Sequence, residues 1–179
     1  MSEIDKSWHL AETEDEIKVT EFELQLWRVF NGFMRWVEEC EHLANNSGLD
    51  GYDLSVLHII RMKDRPKSIN DIGKILNRSD QFNIQYSIKK LIKMGLIEKN
   101  KPFSSRHKQS AMYQITEKGI QNTNAFTAVR EKVLIDMFVK DSNLTIEEMT
   151  KTIVKLRTIY DDAEQAAASY GVLTTSNAK

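Results

Sequence analysis

The chain has 179 residues, of which 41% are hydrophobic and 28% charged, and this balance excludes a disordered or fibrous protein. Seven glycines and two prolines are too few for an all-β fold rich in tight turns, and the single cysteine, Cys40, excludes an intramolecular disulfide bond. No stretch approaches the roughly 18 apolar residues of a membrane span, and residues 1–20 lack the apolar segment of a signal peptide. We therefore expect a soluble cytoplasmic protein without a membrane segment.

The charge of the chain is unevenly distributed, although its net value is only −1. Between Arg78 and Lys118, nine positive and three negative residues give a local charge of +6, which leaves −7 for the rest. A basic segment inside an acidic chain is typical of a local site for a polyanion such as nucleic acid. A lysine-rich face that only contacts solvent explains the same charges, so charge alone leaves both interpretations open.

The N-terminal part is predicted to be a flexible acidic arm over residues 1–18, followed by a long helix over residues 19–45. Apolar residues recur in this helix at spacings of three and four, from Val19 to Cys40. Further large apolar residues lie outside that stripe, namely Trp27, Met34 and Trp36. A helix that is apolar on more than one face needs cover on several sides, which one thin domain does not supply.

Two shorter helices are predicted next. The first covers Leu54–Met62 and ends before Pro66, because proline disfavours helical backbone at the preceding residue. The second begins at Ser68, whose hydroxyl can cap the amides near Asp71. Its predicted buried stripe consists of Ile69, Ile72, Ile75 and Leu76.

A turn at Asn77–Ser79 leads to a further helix from Asp80 to Met94, which Gly95 ends. Its predicted inward positions are Ile84, Ile88, Leu91 and Ile92. After Gly95 the pattern predicts two strands, Leu96–Lys101 and Ala111–Thr116, joined by a basic hairpin loop.

Two long helices complete the predicted order. One begins at Thr116–Gly119, and the other begins near Thr145, where Glu148 stands at the capping-box spacing. The last helix is predicted to end near residue 170, with residues 171–179 as a tail. No internal repeat divides the chain, so residues 19–170 are predicted to form a single domain.

Two short helices joined by a turn and followed by a hairpin form the order of a winged helix-turn-helix, in which the second helix enters the major groove. The outward side of the helix from Asp80 carries amides and lysines, which suit base edges and phosphates, with almost no acid among them. The hairpin loop adds basic residues that can reach the minor groove. The predicted DNA-binding residues are Arg78, Ser79, Gln81, Asn83, Gln85, Tyr86, Lys89, Lys90, Lys93, Lys101, Arg106, His107 and Lys108. A basic turn that only protects the hairpin edge remains the alternative for the loop.

The sequence resembles the MarR family of bacterial winged-helix regulators at three motifs: Ser68–Leu76, Leu91–Ile97 and Tyr113–Gly119. The resemblance implies a mainly α fold with a small β-hairpin. It implies a winged helix lobe at about residues 50–118, and dimerisation helices at about residues 19–45 and 117–170. The wing departs from the family pattern, so that only Arg106 can take the family's minor-groove arginine role, with Lys108 as a weaker substitute. Phe82 and Asn83 replace the threonine-rich start of many recognition helices.

The resemblance also implies a function: a sequence-specific regulator of transcription that binds double-stranded DNA as a homodimer, acts as a repressor and is relieved by a small aromatic effector. Four large residues of the first long helix would line the effector pocket, namely Trp27, Phe30, Met34 and Trp36. Filling of the core and of the dimer interface is the simpler role for them. A winged-helix module that binds proteins rather than an operator is the alternative function.

An enzyme is not expected, and neither is a cofactor or a metal site. Cys40 and His42 are two residues apart on a helix and therefore point to different faces, which provides no nucleophile and base pair. Cys40 is interpreted as a buried small hydrophobe, with a sensor thiol as the alternative. His58 lies in an apolar helix and is interpreted as a core histidine.

Overall fold

The computed structural model describes residues 9–100, 111–140 and 145–176. The chain divides into two compact units, Met1–Arg130 and Glu131–Lys179, and the predicted single domain over residues 19–170 stays a prediction. In chain order, the first unit contains α1 (Glu14–Asn45), α2 (Gly51–Arg61), a 3₁₀ turn (Met62–Asp64), β1 (Lys67–Ser68), α3 (Ile69–Leu76), α4 (Gln81–Lys93), β2 (Ile97–Asn100), β3 (Met112–Ile115) and α5 (Glu117–Arg130). The second unit contains a π-helical turn (Glu131–Ile135), α6 (Asp136–Lys140) and α7 (Ile146–Ser176).

The first helix begins earlier than the sequence predicted, at Glu14 rather than Val19. Thr13 and Glu16 form a capping box, and the first turn is acidic, which suits the positive end of the helix dipole. Residues 14–18, which the sequence predicted to be part of the flexible arm, therefore belong to helix α1. The predicted end is confirmed, because Asn46 adopts the left-handed conformation that closes a helix.

The core of the first unit lies where α2, α3, α4 and the sheet meet. Its buried residues include Leu54, Leu57, Ile60, Ile72, Ile84, Ile88 and Leu91. Two predicted inward positions are wrong, since Ile75 and Ile92 are 43% and 41% exposed. Both lie at the edge of the apolar stripe of their helix, where the period of 3.6 residues does not decide between core and solvent.

A three-stranded antiparallel sheet with the order β1-β3-β2 covers one side of this core. The two wing strands are confirmed, with Lys99 opposite Tyr113 and Ile97 opposite Ile115. The short strand β1 was not predicted, and it pairs Ser68 with Met112. Two residues give no periodicity from which a strand could be inferred.

Polar side chains fasten α5 to the helices before it. The buried Glu41 carboxylate accepts hydrogen bonds from Asn45, Ser47 and Asn122, at 2.9, 2.5 and 3.1 Å. Arg61 at the end of α2 donates to Thr123 and Asn124 of α5. Because Asn122 bonds to Glu41 of α1 and Thr123 bonds to Arg61 of α2, these bonds orient α5 as well as stabilise it.

The second unit consists of helices whose starts are set locally. Thr145 and Glu148 form the predicted capping box, with the Thr145 hydroxyl 2.7 Å from the Glu148 carboxylate. Helix α7 continues to Ser176, so its predicted end at about residue 170 is wrong. Several large apolar side chains of this unit are exposed, including Met137, Val139, Ile146 and Ile153.

Candidate nucleic-acid interface

Helices α3 and α4 meet at a tight turn whose geometry the local sequence sets. Asn77 adopts the left-handed conformation, and the Arg78 amide donates to the Gly73 carbonyl at 2.8 Å. A Cβ atom at Gly73 would lie 2.9 Å from the Arg78 carbonyl oxygen, so this close approach requires glycine. Asp80 then caps α4 by accepting from the amides of Phe82 and Asn83. The turn therefore presents α4 as a separate, well-capped helix.

One row of α4 faces solvent along its whole length. Residues 82, 86, 89 and 93 are spaced by four, three and four positions, which places them above one another on a single helical face. All four are exposed: Phe82, Tyr86, Lys89 and Lys93. The flanking amides differ, because Gln81 and Asn83 are exposed whereas Gln85 is half-buried. The face is thus aromatic at its N-terminal half and basic at its C-terminal half.

The carboxylate of Asp80, the residue that precedes α4, is bound within the protein. Asp80 accepts from two backbone amides of α4 and from the Asn83 side chain, and α4 itself contains no acidic residue. The cap therefore binds the positive end of the helix without placing a free carboxylate beside the lysines. Its bond to Asn83 also fixes the side chain of one predicted base reader.

Lys90, one of the predicted DNA contacts, is paired within the protein. Its ammonium lies 2.5 Å from the carboxylate of Asp53, which is buried at the start of α2, and 3.1 Å from the Gly48 carbonyl oxygen. The hydrogen bond to Asp53 raises the pKa of Lys90. Because Asp53 already compensates its charge, Lys90 differs from the exposed Lys89 and Lys93, and its contact with DNA stays a prediction.

Arg78 and Ser79 lie in the turn before α4. Ser79 is exposed, while the half-buried Arg78 guanidinium lies over the Tyr52 ring, 4.8 Å from its centroid. A cation above an aromatic face is held by the ring quadrupole and keeps its charge. Arg78 is therefore a positioned positive charge beside α4.

The base of the wing is defined, and its tip is not described. Glu98 and Gln114 join the two strands by a 2.7 Å hydrogen bond. The predicted wing contacts lie outside the described residues and stay predictions: Lys101, Arg106, His107 and Lys108.

The four predicted effector-pocket residues do not come together within this chain. Trp27 is 72% exposed and Phe30 is exposed, whereas Trp36 is partly buried and packs against the core of the lobe. Trp27 and Trp36 are nine positions apart, which places them on opposite sides of α1. The partly buried Met34 side chain lies against Gly51 at the start of α2. A pocket that uses all four residues finds no support in one protomer.

Cys40 is buried, as the sequence predicted. His58 is half-buried, but it is not the satisfied core histidine that the sequence predicted, since its buried Nε2 atom has no hydrogen-bond partner among the described residues. Burial raises the pKa of the Cys40 thiol, which disfavours the thiolate that oxidants attack. Burial lowers the pKa of His58, whose ring packs on Phe126 with the centroids 4.6 Å apart. Within the described residues, no three acidic, histidine or cysteine side chains cluster as metal ligands would. None of the described helices combines the length and the apolarity that a bilayer crossing needs.

Sequence reasoning missed two features of this interface. Phe82 was treated only as a departure from a family pattern, although its spacing of four from Tyr86 places it on the outward row. The pairing of Lys90 with Asp53 joins residues that are 37 positions apart, and no local pattern signals it.

Comparison with known proteins agrees with this geometry. Residues 49–119 match the model of a family described as winged helix DNA-binding domain. The structure of NMB1585, a MarR family regulator from Neisseria meningitidis, is similar at 15% identity and a TM-score of 0.64, covering 85% of this chain and 97% of that one. No curated protein sequence gives a significant match.

Two further similar structures contain DNA. Reduced AbfR bound to DNA is 16% identical with a TM-score of 0.69, covering 85% of this chain and 98% of that one. FabT of Streptococcus pneumoniae in complex with DNA is 15% identical with a TM-score of 0.63, covering 81% and 99%. At these identities the likeness shows a common fold.

Proposed function

We propose that this protein, which has a winged helix DNA-binding domain within the fold of the MarR family of transcription regulators, is a sequence-specific regulator that binds double-stranded DNA as a homodimer. The observation that carries the proposal is the outward row of α4, where exposed aromatic and basic side chains lie on one face without a free acid. A helix of this kind fits the width of the major groove. Proteins of the same fold bound to DNA support the same partner here.

In this proposal the two halves of α4 have different roles. The N-terminal half, with Gln81, Asn83 and Gln85, contacts base edges, where amides pair with adenine. The C-terminal half, with Lys89 and Lys93, contacts phosphates. Arg78, Ser79 and Tyr86 add contacts beside the groove, and the wing residues Lys101, Arg106, His107 and Lys108 complete the set.

The exposed apolar face of α1 supports the homodimer. Phe22, Trp27, Val29, Phe30 and Phe33 all lie at the surface of one chain. An apolar patch of this extent on a monomer marks an interaction surface. We assign it to a second copy, which would place two lobes on one duplex. A dimer that occupies promoter DNA excludes other proteins from it, so we propose repression, relieved by a small aromatic effector that binds next to α1.

The test of DNA binding through α4 is the salt dependence of affinity for a duplex recovered by selection from random sequences. Lys89→Ala and Lys93→Ala should each lower the magnitude of the slope of log K against log salt by about 1.8, because both protomers of the homodimer carry the substitution and each then neutralises one phosphate fewer. The readout is a fluorescence anisotropy titration at several salt concentrations. Lys151→Ala, which removes an exposed lysine of α7, is the matched control and should leave the slope unchanged.

Absence of binding to any duplex at low salt would reject the proposed function. A slope that falls equally for Lys89→Ala and Lys151→Ala would reject α4 as the DNA-binding helix, because only the total charge would then matter. A partner protein bound through Phe82 and Tyr86 is the alternative function, and their exposure favours it if duplex DNA fails.

The homodimer predicts a sedimentation mass of twice 20.7 kDa at micromolar concentration. Trp27→Lys combined with Phe33→Lys should shift the protein to monomer, because two buried charges on an apolar interface are left unpaired. Ile75→Ser, which changes an exposed apolar residue of α3, is the control and should stay dimeric. A wild-type monomer, or a double variant that remains a dimer, would contradict the assignment of this face.

A further inference from the structure

We propose that Phe82 is a specificity-determining residue that contacts a thymine 5-methyl group in the major groove, an inference that rests on the proposed function. Phe82 is 85% exposed, more than any other large hydrophobic residue whose exposure the structure describes. It is the second residue of α4, in the turn that reaches base edges when such a helix lies in the groove.

The position of Phe82 is fixed by the backbone rather than by core packing. Its amide donates to the Asp80 carboxylate at 3.0 Å, and the next amide does so at 3.3 Å. The ring therefore projects from a capped helix end. A single exposed apolar side chain needs no special explanation, but this one is followed on the same face by the exposed ring of Tyr86 and then by Lys89 and Lys93.

The charges around Phe82 select its partner. The basic residues of the same row attract a polyanion, and the carboxylate of the preceding Asp80 is used as a cap. Among the groups at the floor of the major groove, the thymine methyl is the one apolar feature. A phenyl ring that a basic helix brings to the floor of the major groove therefore makes its favourable apolar contact with the thymine methyl group.

The side-chain amides next to Phe82 indicate that the adenine opposite the thymine is also recognised. On the helical wheel Phe82 lies between Gln85 on one side and Asn83 on the other. Asn and Gln pair with the N6 and N7 atoms of adenine, which lie in the same groove across the pair from the thymine methyl. We expect the operator to carry an A·T pair where the N-terminal turn of α4 docks.

The test is a double cycle between protein and DNA. The selected duplex is made in two forms, with thymidine or with 2′-deoxyuridine at each A·T pair, which removes the methyl groups and keeps the pairing. Wild type should bind the uracil form about fourfold more weakly for each methyl group that the ring no longer touches, the factor that corresponds to one buried carbon group. Phe82→Ser should already bind the thymine form more weakly by that factor and show no further decrease on the uracil form. Lys89→Ala is the control that should weaken both forms equally.

The outcomes separate the two proposals. Equal weakening by uracil in wild type and Phe82→Ser would overturn the role of Phe82 and leave DNA binding intact. If Phe82→Ser bound the thymine form as tightly as wild type does, the role of Phe82 in DNA recognition would also be overturned, and a protein partner for the ring would be favoured. Failure of wild type to bind either duplex would reject the proposed function itself. Thermal unfolding of Phe82→Ser should match wild type, since the side chain packs against little in the free protein.

Discussion

Replacement of Gly119 by alanine should destabilise the winged helix lobe by about 3 kcal/mol, because the first turn of α5 passes directly over the backbone of Leu96, just before β2. A Cβ atom at residue 119 would overlap the Leu96 carbonyl oxygen and lie 2.8 Å from Cγ1 of Ile115. The Leu96 oxygen cannot move away, because it accepts hydrogen bonds from the amide and the hydroxyl of Thr116. The added methyl group would therefore clash with a carbonyl oxygen that its hydrogen bonds to Thr116 hold in place.

The measurement is the free energy of unfolding in urea, read by circular dichroism. Gly32→Ala is the matched control, since Gly32 lies inside α1 and an added Cβ would come no closer than 3.9 Å to the end of the Arg35 side chain. That control should stabilise the protein by about 1 kcal/mol, the difference in helix propensity between the two residues. A Gly119→Ala variant as stable as wild type would show that Gly119 does not pack against the Leu96 backbone.

Replacement of Lys67 by methionine should destabilise the protein by about 3 kcal/mol, although a surface lysine normally tolerates this change. Lys67 is only 2% exposed, and its ammonium donates to the carbonyl oxygens of Ile60, Met62 and Arg65. These carbonyls belong to the end of α2 and to the turn that follows it, where Lys63 and Asp64 both have positive φ. The ammonium therefore joins the last turn of α2 to a turn with two left-handed residues.

Urea denaturation again measures the effect, with Lys74→Met as the control because Lys74 is exposed on α3. The control should change the free energy of unfolding by less than about 0.5 kcal/mol. Equal stability of Lys67→Met and Lys74→Met would contradict the role assigned to the three carbonyls. Arginine at residue 67 should not rescue the stability, because its larger planar head does not fit a site that holds a compact ammonium.

The parts of the fold that the sequence predicted are those that short-range chemistry decides. Ser68 with Asp71 and Thr145 with Glu148 form capping boxes within four residues, and the structure has both. Gly119 belongs to one of the three motifs that resemble the MarR family. The structure explains why glycine is needed there, because a Cβ atom would overlap the Leu96 carbonyl oxygen. Local spacing also placed Tyr86, Lys89 and Lys93 on the exposed side of α4.

The parts that could not be predicted depend on distant partners. Lys67 and Lys90 are ordinary lysines in sequence, and only the folded chain shows that carbonyls hold one and Asp53 holds the other. Ile92 shows the opposite error, because an apolar residue at the edge of a stripe was predicted to be inward and is exposed. Burial of one residue is decided by its neighbours in space, which one helix does not reveal.

The two attachments of α4 have a consequence for how affinity arises. The buried side chains Ile84, Ile88 and Leu91 pack one face of α4 into the core. Lys90 bonds to Asp53 of α2 and to the Gly48 carbonyl oxygen before α2. A helix held by its buried face and by this pair cannot roll about its own axis, so the orientation of its outward row is set before any partner arrives. The protein is in this respect preorganised, and little conformational entropy is lost when the row meets a rigid surface. Discrimination between partners then depends on whether the partner fits the row, and not on whether the row adapts to the partner.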